Sequence, residues 1–393
     1  MTTQIIKLSH SDVFKRYSSK YDIFRDLYEI DLIGLELKNC ESMIAEQIKR
    51  EILASKEICY SVASKKNGGT DILILGTISI FGELSRRIVA SRNEDIGYKI
   101  SQTISNYKNY DSGSFNIGDK SFSLKSAIVM GILNVTPDSF SDGGKYCERD
   151  LALKHSESLI EDGADIIDIG GESSRPGANS VETSEEIKRV LPIIKVLNKE
   201  FPNVILSIDT TKSEVAKAAL DNGVTLVNDI SGLINDPEMI KTVKACSAAL
   251  VIMHMKGTPQ SMQVDPQYDD LVGEVYEFLN NQCQLATYSG IKNIIVDPGI
   301  GFGKRVIDNY EILNRLQEFK GLGLPILVGL SRKSFIGKVF KNEINEREDL
   351  SLAAETFAMA NGARIIRTHK VKNTVDASKL INFIENPGII TSV

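Results

Sequence analysis

Short apolar runs alternate with longer amphipathic segments from about residue 125 to the end of the chain. The runs are rich in β-branched residues: AIVMGILN, ADIIDIG, VILSID, VTLVND, AALVIMH, NIIVDPG, PILVGL and ARIIRTH. Between them lie segments such as LALKHSESLIEDG and SEVAKAALDNG, whose apolar residues have helical spacing. Apolar strands that alternate with helices are typical of a parallel sheet that is buried on both faces.

A glycine stands just before several of these strands, in DGAD, NGVT, SGIK and NGAR. Such a glycine suits the left-handed residue that closes a helix before the chain turns into the next strand. Eight strand–helix units match a closed barrel of roughly 250 residues and fit a doubly wound sheet less well. We therefore predict a (β/α)8 TIM barrel over residues 121–393.

The first 120 residues have a different pattern. MIAEQIKREILASKE has helical spacing, TDILILGT has the pattern of a buried strand, and ISIFGELSRRIVASR has the pattern of a second helix. The polar stretch 105–125 has weak periodicity and predicts a connector with a little strand. We expect a small α/β leader domain over residues 1–120, to which the residues assign no chemistry.

Composition and charge exclude several classes of protein. The chain is 42% hydrophobic and 25% charged, as expected of a globular protein, and its net charge of −6 argues against a nucleic-acid binder. The N-terminus MTTQIIKLSH lacks the basic and apolar regions of a signal peptide, and no apolar stretch approaches about 18 residues. We expect neither secretion nor a membrane span.

The five cysteines lie far apart and form no CxxC motif: Cys40, Cys59, Cys147, Cys246 and Cys283. This spacing argues against a zinc site and against a disulfide framework. Reduced thiols are typical of a cytoplasmic protein, and we predict that location.

Polar residues follow every predicted strand of the barrel. In such barrels the active site is built at the carboxyl ends of the strands, which meet at one rim. The polar groups at the eight ends are Asn134, the GGESSRPG loop with Arg175, Asp209, Asn228, His254, Asp297, Lys333, and Arg367 with His369.

The mixture of side chains indicates the ligand class. Asp209, Asn228 and Asp297 can form a row of acceptors and donors for an amino-substituted nitrogen heterocycle, a partner that would offset the cost of burying carboxylates. The cationic groups suit a phosphorylated ligand. Asn134 can offer an oxygen to Mg²⁺ that bridges substrate phosphates. The residues alone predict an enzyme for a phosphorylated heterocycle and leave its reaction open.

Each of these residues also has a structural interpretation. Asp209 and Asn228 can cap helices, as Asp and Asn often do after a strand. Lys333 and Arg367 can be solvated surface charges. His254 follows an apolar run and can equally be a core histidine. The coincidence of all eight strand ends favours the functional interpretation.

The motifs, taken in order, resemble the dihydropteroate synthase family over about residues 126–385. The strings that carry the resemblance are MGILNVTPDSFSDGG, ADIIDIGGESSRPGA, SIDTTKSEVAKAAL, VNDISG, MHMKGTP, VDPGIGFGK, GLSRKSFIG and RTHKV. The resemblance implies that p-aminobenzoate displaces diphosphate from (7,8-dihydropterin-6-yl)methyl diphosphate, after the pterin substrate ionises. It also implies a homodimer with Mg²⁺ as cofactor.

The resemblance assigns roles to residues of this chain. Pterin is expected against Asp209, Asn228, Asp297 and Lys333, of which Asp209, Asp297 and Lys333 are the catalytic candidates. Diphosphate is expected against Asn134 with Mg²⁺, Ser174, Arg175, Arg367 and His369. The walls of the p-aminobenzoate pocket, where sulfonamides should compete, are expected to be Pro137, Phe140, Arg175, Pro176, Phe302, Lys333 and Ser334. Loops 135–146 and 172–179 are expected to order over the site.

Two positions depart from the family pattern. Ser174 stands where Thr is frequent, which keeps a hydroxyl and loses a methyl group. Ile300 stands where many members have Phe, which removes an aromatic ring near Asp297.

Two other functions compete with the synthase. A methyltetrahydrofolate-dependent corrinoid methyltransferase shares the pterin-binding barrel, but it does not need NVTPDSF, SSRPG, SRK and RTH together. A non-catalytic pterin- or folate-binding protein would be expected to lack Lys333, Arg367 or a loop motif, and this chain has all of them.

Overall fold

A computed structural model describes residues 1–7, 11–21, 33–54, 59–64, 69–136, 145–173, 177–178, 180–341 and 343–388. The chain forms two compact units. The first contains Met1–Asp111 together with Gln317–Gly323, and the second contains Ser112–Leu316 and Leu324–Val393.

The first unit is built on a four-stranded antiparallel sheet with the order β1-β2-β4-β3. Its strands are β1 (Thr2–Lys7), β2 (Ile33–Cys40), β3 (Cys59–Ser64) and β4 (Thr70–Gly76). Its helices are α1 (Ser11–Tyr21), α2 (Ser42–Leu53), α3 (Ile78–Ala90) and α4 (Glu94–Asn109). The predicted strand and the two predicted helices are confirmed as β4, α2 and α3.

Side chains that alternate along β2 separate the two faces of this sheet. Leu35 and Leu37 are fully buried in an apolar core with side chains of β4, α2, α3 and α4. Glu36 and Lys38 point to the opposite face and are also buried. One face of the sheet therefore packs through apolar contacts, and the other buries charges.

The connector predicted over residues 105–125 is more ordered than its pattern indicates. Helix α4 continues to Asn109, and a hairpin of β5 (Ser114–Ile117) and β6 (Lys120–Ser123) follows. Ile117 is fully buried among barrel side chains that include Met130 and Ile166. Because this apolar anchor joins the hairpin to the barrel, residues 112–120 group with the second unit, although we assigned them to the leader.

The second unit contains a closed barrel of eight parallel strands, as predicted. Strand β14 pairs with β7 and closes the ring, with Arg367 opposite Met130. The strands are β7 (Ile128–Asn134), β8 (Ile166–Gly170), β9 (Ile205–Asp209), β10 (Leu226–Asp229), β11 (Ala249–Met253), β12 (Ile294–Asp297), β13 (Ile326–Gly329) and β14 (Ala363–Thr368).

Helices follow the strands around the barrel. They are α5 (Lys145–Glu161), α6 (Thr183–Glu200), α7 (Ser213–Leu220), α8 (Glu238–Ala245), α9 (Leu271–Tyr288), α10 (Val306–Asn314), α11 (Ser334–Phe340), α12 (Glu348–Ala360) and α13 (Val371–Glu385). The glycine before β8 has the left-handed conformation that we predicted: Gly163 has a φ of +97° and donates its N–H to the carbonyl of Ile160. A residue with a Cβ would be strained there.

The barrel interior changes in character along its axis. At the amino ends of the strands it is filled by apolar side chains such as Ile205, Leu226 and Ala249. Towards the carboxyl ends, buried polar side chains replace them, among them Asp168, Ser207 and Asn228. Since the layers of such a barrel come from alternate strands, these side chains reach one another across the interior. The apolar layers support a polar layer at the predicted rim.

Candidate active site

The structure brings the predicted strand-end residues to one rim. Asn134, Asp209 and Asp297 are the last residues of β7, β9 and β12. Lys333 precedes α11, and His369 follows β14. Five predicted residues lie outside the described residues: Pro137, Phe140, Ser174, Arg175 and Pro176.

A network of hydrogen bonds centred on Arg367 joins four strands of the barrel, β14, β8, β9 and β10. Its Nε donates to Oδ2 of Asp168 at 2.6 Å, and its Nη2 donates to Oδ2 of Asp209 at 2.8 Å. Asn228 donates from Nδ2 to the same Oδ2 of Asp168 at 3.0 Å. Two carboxylates thus share one guanidinium, whose Nη1 donates to none of the described residues.

Asp168 is a residue that the sequence analysis missed. It lies inside β8 and is completely buried, and it also accepts from Oγ of Ser207 at 2.6 Å. Its neighbours in the string IIDIG are apolar, so the pattern places it inside a strand and not among the polar residues that follow one. The signal was the carboxylate itself, since an ionised group inside a buried strand needs partners that offset its desolvation.

Burial shifts the pKa values of the acids and bases of the rim in the direction that favours their uncharged forms. The pKa of Asp209 is raised to about 7, because desolvation outweighs the attraction of Arg367 and the nearby charge of Asp168 adds to the shift. The pKa of Asp297 is raised to about 6 by burial, against the N–H of Gly299 and the charge of Lys333. Burial lowers the pKa of Lys333 to about 8. Groups tuned in this way are common at sites of proton-sensitive binding and catalysis.

The loop after β12 is locked against the end of β11. Gly299 donates its N–H to Oδ1 of Asp297 at 2.7 Å and has a φ of +69°. A Cβ on Gly299 would lie 1.9 Å from the carbonyl oxygen of His254, so only glycine fits this approach. The loop thereby holds the Asp297 carboxylate through a backbone donor.

Lys304 is a second residue that the sequence analysis missed. Its Nζ lies 3.1 Å from the Phe302 carbonyl oxygen, 3.3 Å from the His254 carbonyl oxygen and 3.0 Å from Nδ1 of His254. Burial lowers its pKa to about 7. Three acceptors around one amine tie the loop after β12 to His254 at the end of β11.

This contact also decides between the two interpretations of His254. Its ring is buried and packs edge-on against Phe278, with the centroids 5.0 Å apart. Burial, followed by the charge of Lys304, lowers its pKa well below the usual value, which keeps the imidazole neutral. The structure favours the core histidine, because the ring supports the neighbouring loop.

A third missed residue tethers the second loop of the rim. Nζ of Lys212 lies 2.6 Å from Oε2 of Glu186 and also pairs with Glu172, the first residue of the predicted loop 172–179. Its sequence context, TTKSEV, resembles an ordinary helix start and offered no signal for this role. The ion pairs fix the point where that loop leaves the barrel.

Aromatic and polar groups beside Lys333 form the described part of the predicted p-aminobenzoate pocket. Nζ of Lys333 lies 4.1 Å from the centroid of the Phe302 ring, which is within cation–π distance. Ser334 is exposed at the first position of α11. Ile300, the departure from the family pattern, is buried with 2% exposure.

His369 is oriented by a neighbouring loop. Its Nδ1 lies 3.0 Å from Oγ of Ser331, which also accepts from the His369 N–H at 3.3 Å. These two contacts fix the orientation of the His369 ring just after β14.

The surroundings of Asn134 fit a magnesium ion that arrives with its substrate. A Cβ at Gly170 would lie 3.6 Å from Oδ1 of Asn134 and 3.7 Å from Oδ2 of Asp209, so the two oxygens flank space that a side chain would fill. Among the described residues no three or more His, Cys, Asp or Glu side chains form a metal-binding group. One amide oxygen near a carboxylate suits Mg²⁺ that keeps water and phosphate as its other ligands.

Comparisons with known proteins agree with this geometry. The family model described as pterin binding enzyme matches residues 130–369. A dihydropteroate synthase from Synechocystis is 45% identical over 259 residues, which cover 65% of this chain and 89% of that protein.

Two solved structures show the same fold. The Yersinia pestis dihydropteroate synthase in a sulfonamide drug complex has a TM-score of 0.66 at 39% identity and covers 70% of this chain and 99% of its own. The Xanthomonas albilineans dihydropteroate synthase with 4-aminobenzoic acid has a TM-score of 0.65 at 39% identity, with coverages of 70% of this chain and 98% of its own.

No helix in the described part of the chain is long and apolar enough to cross a membrane.

Proposed function

This chain belongs to the dihydropteroate synthase family, and on that premise we propose how its residues perform the reaction. The enzyme condenses (7,8-dihydropterin-6-yl)methyl diphosphate with p-aminobenzoate and releases 7,8-dihydropteroate and diphosphate. The C–O bond to diphosphate breaks, the amine nitrogen bonds to the methylene carbon, and the amine loses a proton. The barrel has to stabilise a pterin cation and a departing anion.

The pterin ring is assigned to the buried acceptors of the rim. Asp209, Asn228 and Asp297 come from three different strands and point into the polar layer of the barrel. Ionised carboxylates there accept from ring N–H groups and oppose the positive charge that grows as diphosphate leaves. Lys333 contributes a donor whose pKa, lowered to about 8, leaves it mainly protonated at neutral pH.

The diphosphate is assigned to the cationic side of the rim. Arg367 keeps Nη1 available after its two carboxylate contacts, and His369 is held beside it by Ser331. By the family resemblance, Ser174 and Arg175 of the second loop also bind it. Fixed donors at the place where negative charge develops can lower a barrier by about 3–4 kcal/mol each.

Magnesium is proposed as the cofactor, with Asn134 as its protein ligand. When bound, Mg²⁺ would offset negative charge on the leaving diphosphate. Oδ1 of Asn134 would supply an oxygen ligand, and the carboxylate of Asp209, on the other side of Gly170, would favour a cation there. Removal of the ion with a chelator should abolish turnover while pterin binding to the carboxylates persists.

The p-aminobenzoate pocket is assigned to the outer part of the rim. Phe302 and Lys333 form one wall, and Ser334 lies at the start of α11 beside them. The family resemblance adds Pro137, Phe140, Arg175 and Pro176. Sulfonamides should compete with p-aminobenzoate there and leave the affinity for pterin unchanged.

The observation that carries the proposal is the pair of buried carboxylates with raised pKa values, Asp209 and Asp297, beside Arg367 and Lys333. Purified protein should release diphosphate only when p-aminobenzoate and Mg²⁺ are both present. Pterin binding without turnover would indicate the non-catalytic binder, and methyl transfer from methyltetrahydrofolate would indicate the corrinoid enzyme. Either result from folded protein would contradict the proposal.

A homodimer is proposed through the helices that surround β13 and β14. Large apolar side chains are exposed on α11, α12 and α13, where Phe340, Phe357, Leu380 and Ile384 are 47–69% exposed. Exposed apolar groups concentrated on neighbouring elements are a common mark of an interface. Light scattering after gel filtration should show a dimer that Leu380→Glu dissociates. Leu285→Glu on α9, an equally apolar exposed position, should leave the dimer intact.

A cytoplasmic location is proposed as well. Its support is that Cys40, Cys246 and Cys283 are free thiols, as a reducing compartment maintains them. Fractionation of cells that express the chain should place it with cytoplasmic markers.

A further inference from the structure

Asp168 contacts the side chains assigned to the ligand but is itself completely buried inside β8. Its Oδ2 accepts from Asn228 at 3.0 Å and from Arg367 at 2.6 Å, while its Oδ1 accepts from Ser207 at 2.6 Å. Both carboxylate oxygens are therefore satisfied within the protein. Asp168 reaches the substrate only through other residues.

The contact with Asn228 decides which end of its amide faces the pocket. A carboxylate accepts hydrogen bonds and does not donate them, so Nδ2 of Asn228 must point towards Asp168. The reversed amide would set its carbonyl oxygen against a carboxylate oxygen at the same 3.0 Å distance. Oδ1 of Asn228 is then left as an acceptor for a ligand, and it accepts from no donor among the described residues.

The contact with Arg367 fixes a second direction in the same way. Nε is held by Asp168 and Nη2 by Asp209, so the guanidinium plane spans β8 and β9. Nη1 is the nitrogen left for an anion. A planar guanidinium held at two of its nitrogens has little freedom to turn.

We propose that Asp168 is a positioning residue that makes Asn228 a hydrogen-bond acceptor for the heterocycle and aims Arg367 at the diphosphate. The proposal rests on the function proposed above, because it assumes that Asn228 and Arg367 bind the two parts of the pterin substrate. It assigns a specificity: the ring edge that meets Asn228 carries an N–H donor. A heterocycle with a lone pair at that place is rejected, because two acceptors would face each other.

Two substitutions at Asp168 separate its hydrogen bonds from its charge. In Asp168→Asn the amide oxygen can keep the bonds from Asn228 and Arg367, because its NH₂ group can donate to Ser207, whose hydroxyl rotates. In Asp168→Leu no acceptor remains, so the Asn228 amide can turn and Arg367 keeps only Asp209. Ser207→Ala is the matched control, since Ser207 contacts the other oxygen of Asp168.

The full chain is tested by calorimetric binding of (7,8-dihydropterin-6-yl)methyl diphosphate and by steady-state kinetics. Asp168→Leu should weaken pterin binding at least about 30-fold, because a buried polar site loses the partner it was built for. Asp168→Asn and Ser207→Ala should weaken it less than about 5-fold, the size of one modest hydrogen-bond change. The KM for p-aminobenzoate should change less than about 3-fold in all three variants, because Asp168 contacts none of the described residues of that pocket.

A shift of the pH profile distinguishes positioning from a packing role. The charged groups that act on Asp209 include Arg367 on β14, Asp168 on β8, Asp229 on β10, Glu186 on α6 and Lys333 just before α11. Asp168 raises the pKa of Asp209, so Asp168→Asn should move the acid limb of pterin affinity to lower pH. An Asp168 that only fills space would leave this limb in place.

The outcomes are decisive even if Asp168→Leu does not fold. A folded Asp168→Leu protein that binds pterin like the wild type overturns the proposal. If that variant unfolds, an unshifted acid limb in Asp168→Asn overturns it instead. Asp209→Asn and Asn228→Ala are measured in parallel. If neither variant weakens pterin binding, the proposed pterin site is wrong. If both weaken it but Asp168→Leu does not, only the positioning role is rejected.

Discussion

Each compact unit of this chain buries a charge network, and the two networks differ in their balance. In the first unit Glu36 accepts from Tyr21 at 2.5 Å and pairs with Lys20 at 2.8 Å and with Lys38 at 3.4 Å. Lys20 also pairs with Asp71 at 3.4 Å. Two carboxylates meet two ammonium groups, so this network neutralises itself.

The barrel network lacks that balance. Asp168 and Asp209 share Arg367, and the pKa of Asp209 is raised to about 7, mainly by burial. Buried charge without full compensation costs stability, and proteins keep it where a ligand supplies the missing partner. The comparison supports the proposal that the second network binds substrate, whereas the first is expected to stabilise its unit.

The largest expected effect is on turnover in Asp209→Asn. The amide keeps the shape of the side chain but loses the charge that opposes the pterin cation. We expect kcat/KM for pterin diphosphate to fall by about 10²–10³-fold, as for loss of one preorganised electrostatic group. Thermal unfolding should stay near that of the wild type, because removing this raised-pKa carboxylate also removes its desolvation cost. Unfolding of the variant would favour the interpretation of Asp209 as a helix cap.

Glu36→Gln in the first unit should show the opposite pattern. It removes the carboxylate that pairs with both Lys20 and Lys38, of which Lys20 keeps its pair with Asp71. Breaking a buried ion pair from one side costs about 3–5 kcal/mol. Calorimetry should record a lower unfolding temperature, while kcat/KM of the folded protein changes less than about 2-fold. Glu46→Gln, which removes an exposed ion pair with Lys49 in the same unit, should change neither quantity. A strong loss of activity in Glu36→Gln would end the distinction between the two networks.

The rim could largely be anticipated from the sequence, since the carboxyl ends of parallel strands must meet. Asn134, Asp209, Asp297 and Lys333 lie where their motifs predicted. Asp168 was missed because it lies within a strand, where one residue's direction depends on register around the closed barrel.

Other contacts depend on tertiary structure that a motif does not encode. Lys304 was missed because its acceptors come from His254, just after β11, and from the carbonyl of Phe302, which only the folded loop presents. The hairpin at residues 114–123 has no long apolar run, and Ile117 anchors it in the barrel together with the partly buried Phe115 and Phe122. Loop residues such as Arg175 and Phe140 remain predictions from the family resemblance.

The pH dependence of activity and stability tests whether the buried charges of the barrel network serve substrate binding rather than stability. The raised pKa values of Asp297, about 6, and Asp209, about 7, predict an acid limb for pterin kcat/KM near pH 7, since both groups must be ionised to accept and the higher pKa sets the limb. Lys333, with its pKa lowered to about 8, predicts an alkaline limb. The free energy of unfolding should change in the opposite direction over this pH range. Asp209 and Asp297 are more easily protonated in the folded than in the unfolded protein, so they stabilise the fold fully at a pH below their unfolded-state pKa. That stabilisation is lost as the pH rises to about 7.

Lys333→Arg isolates the alkaline limb. Arginine does not titrate in this range, so the variant should lose that limb and keep the acid one, whatever its absolute rate. Rate profiles and unfolding measured over the same pH series would check both trends. An alkaline limb that survives in Lys333→Arg would assign it to another group, of which Lys304, with a pKa of about 7, is the nearest candidate.

The smallest expected effect concerns Ile300, where the family often has Phe. Its side chain is 2% exposed and follows Gly299, whose backbone touches the His254 carbonyl. A larger ring at a filled position should cost about 1–3 kcal/mol of stability through overpacking. Asp297 is held by the Gly299 N–H rather than by this side chain, so kcat/KM for pterin should change less than about 5-fold in Ile300→Phe. Ile300→Leu, which conserves volume, serves as the control. If Ile300→Phe loses as much turnover as Asp209→Asn, the loop positions the Asp297 carboxylate through its side-chain packing.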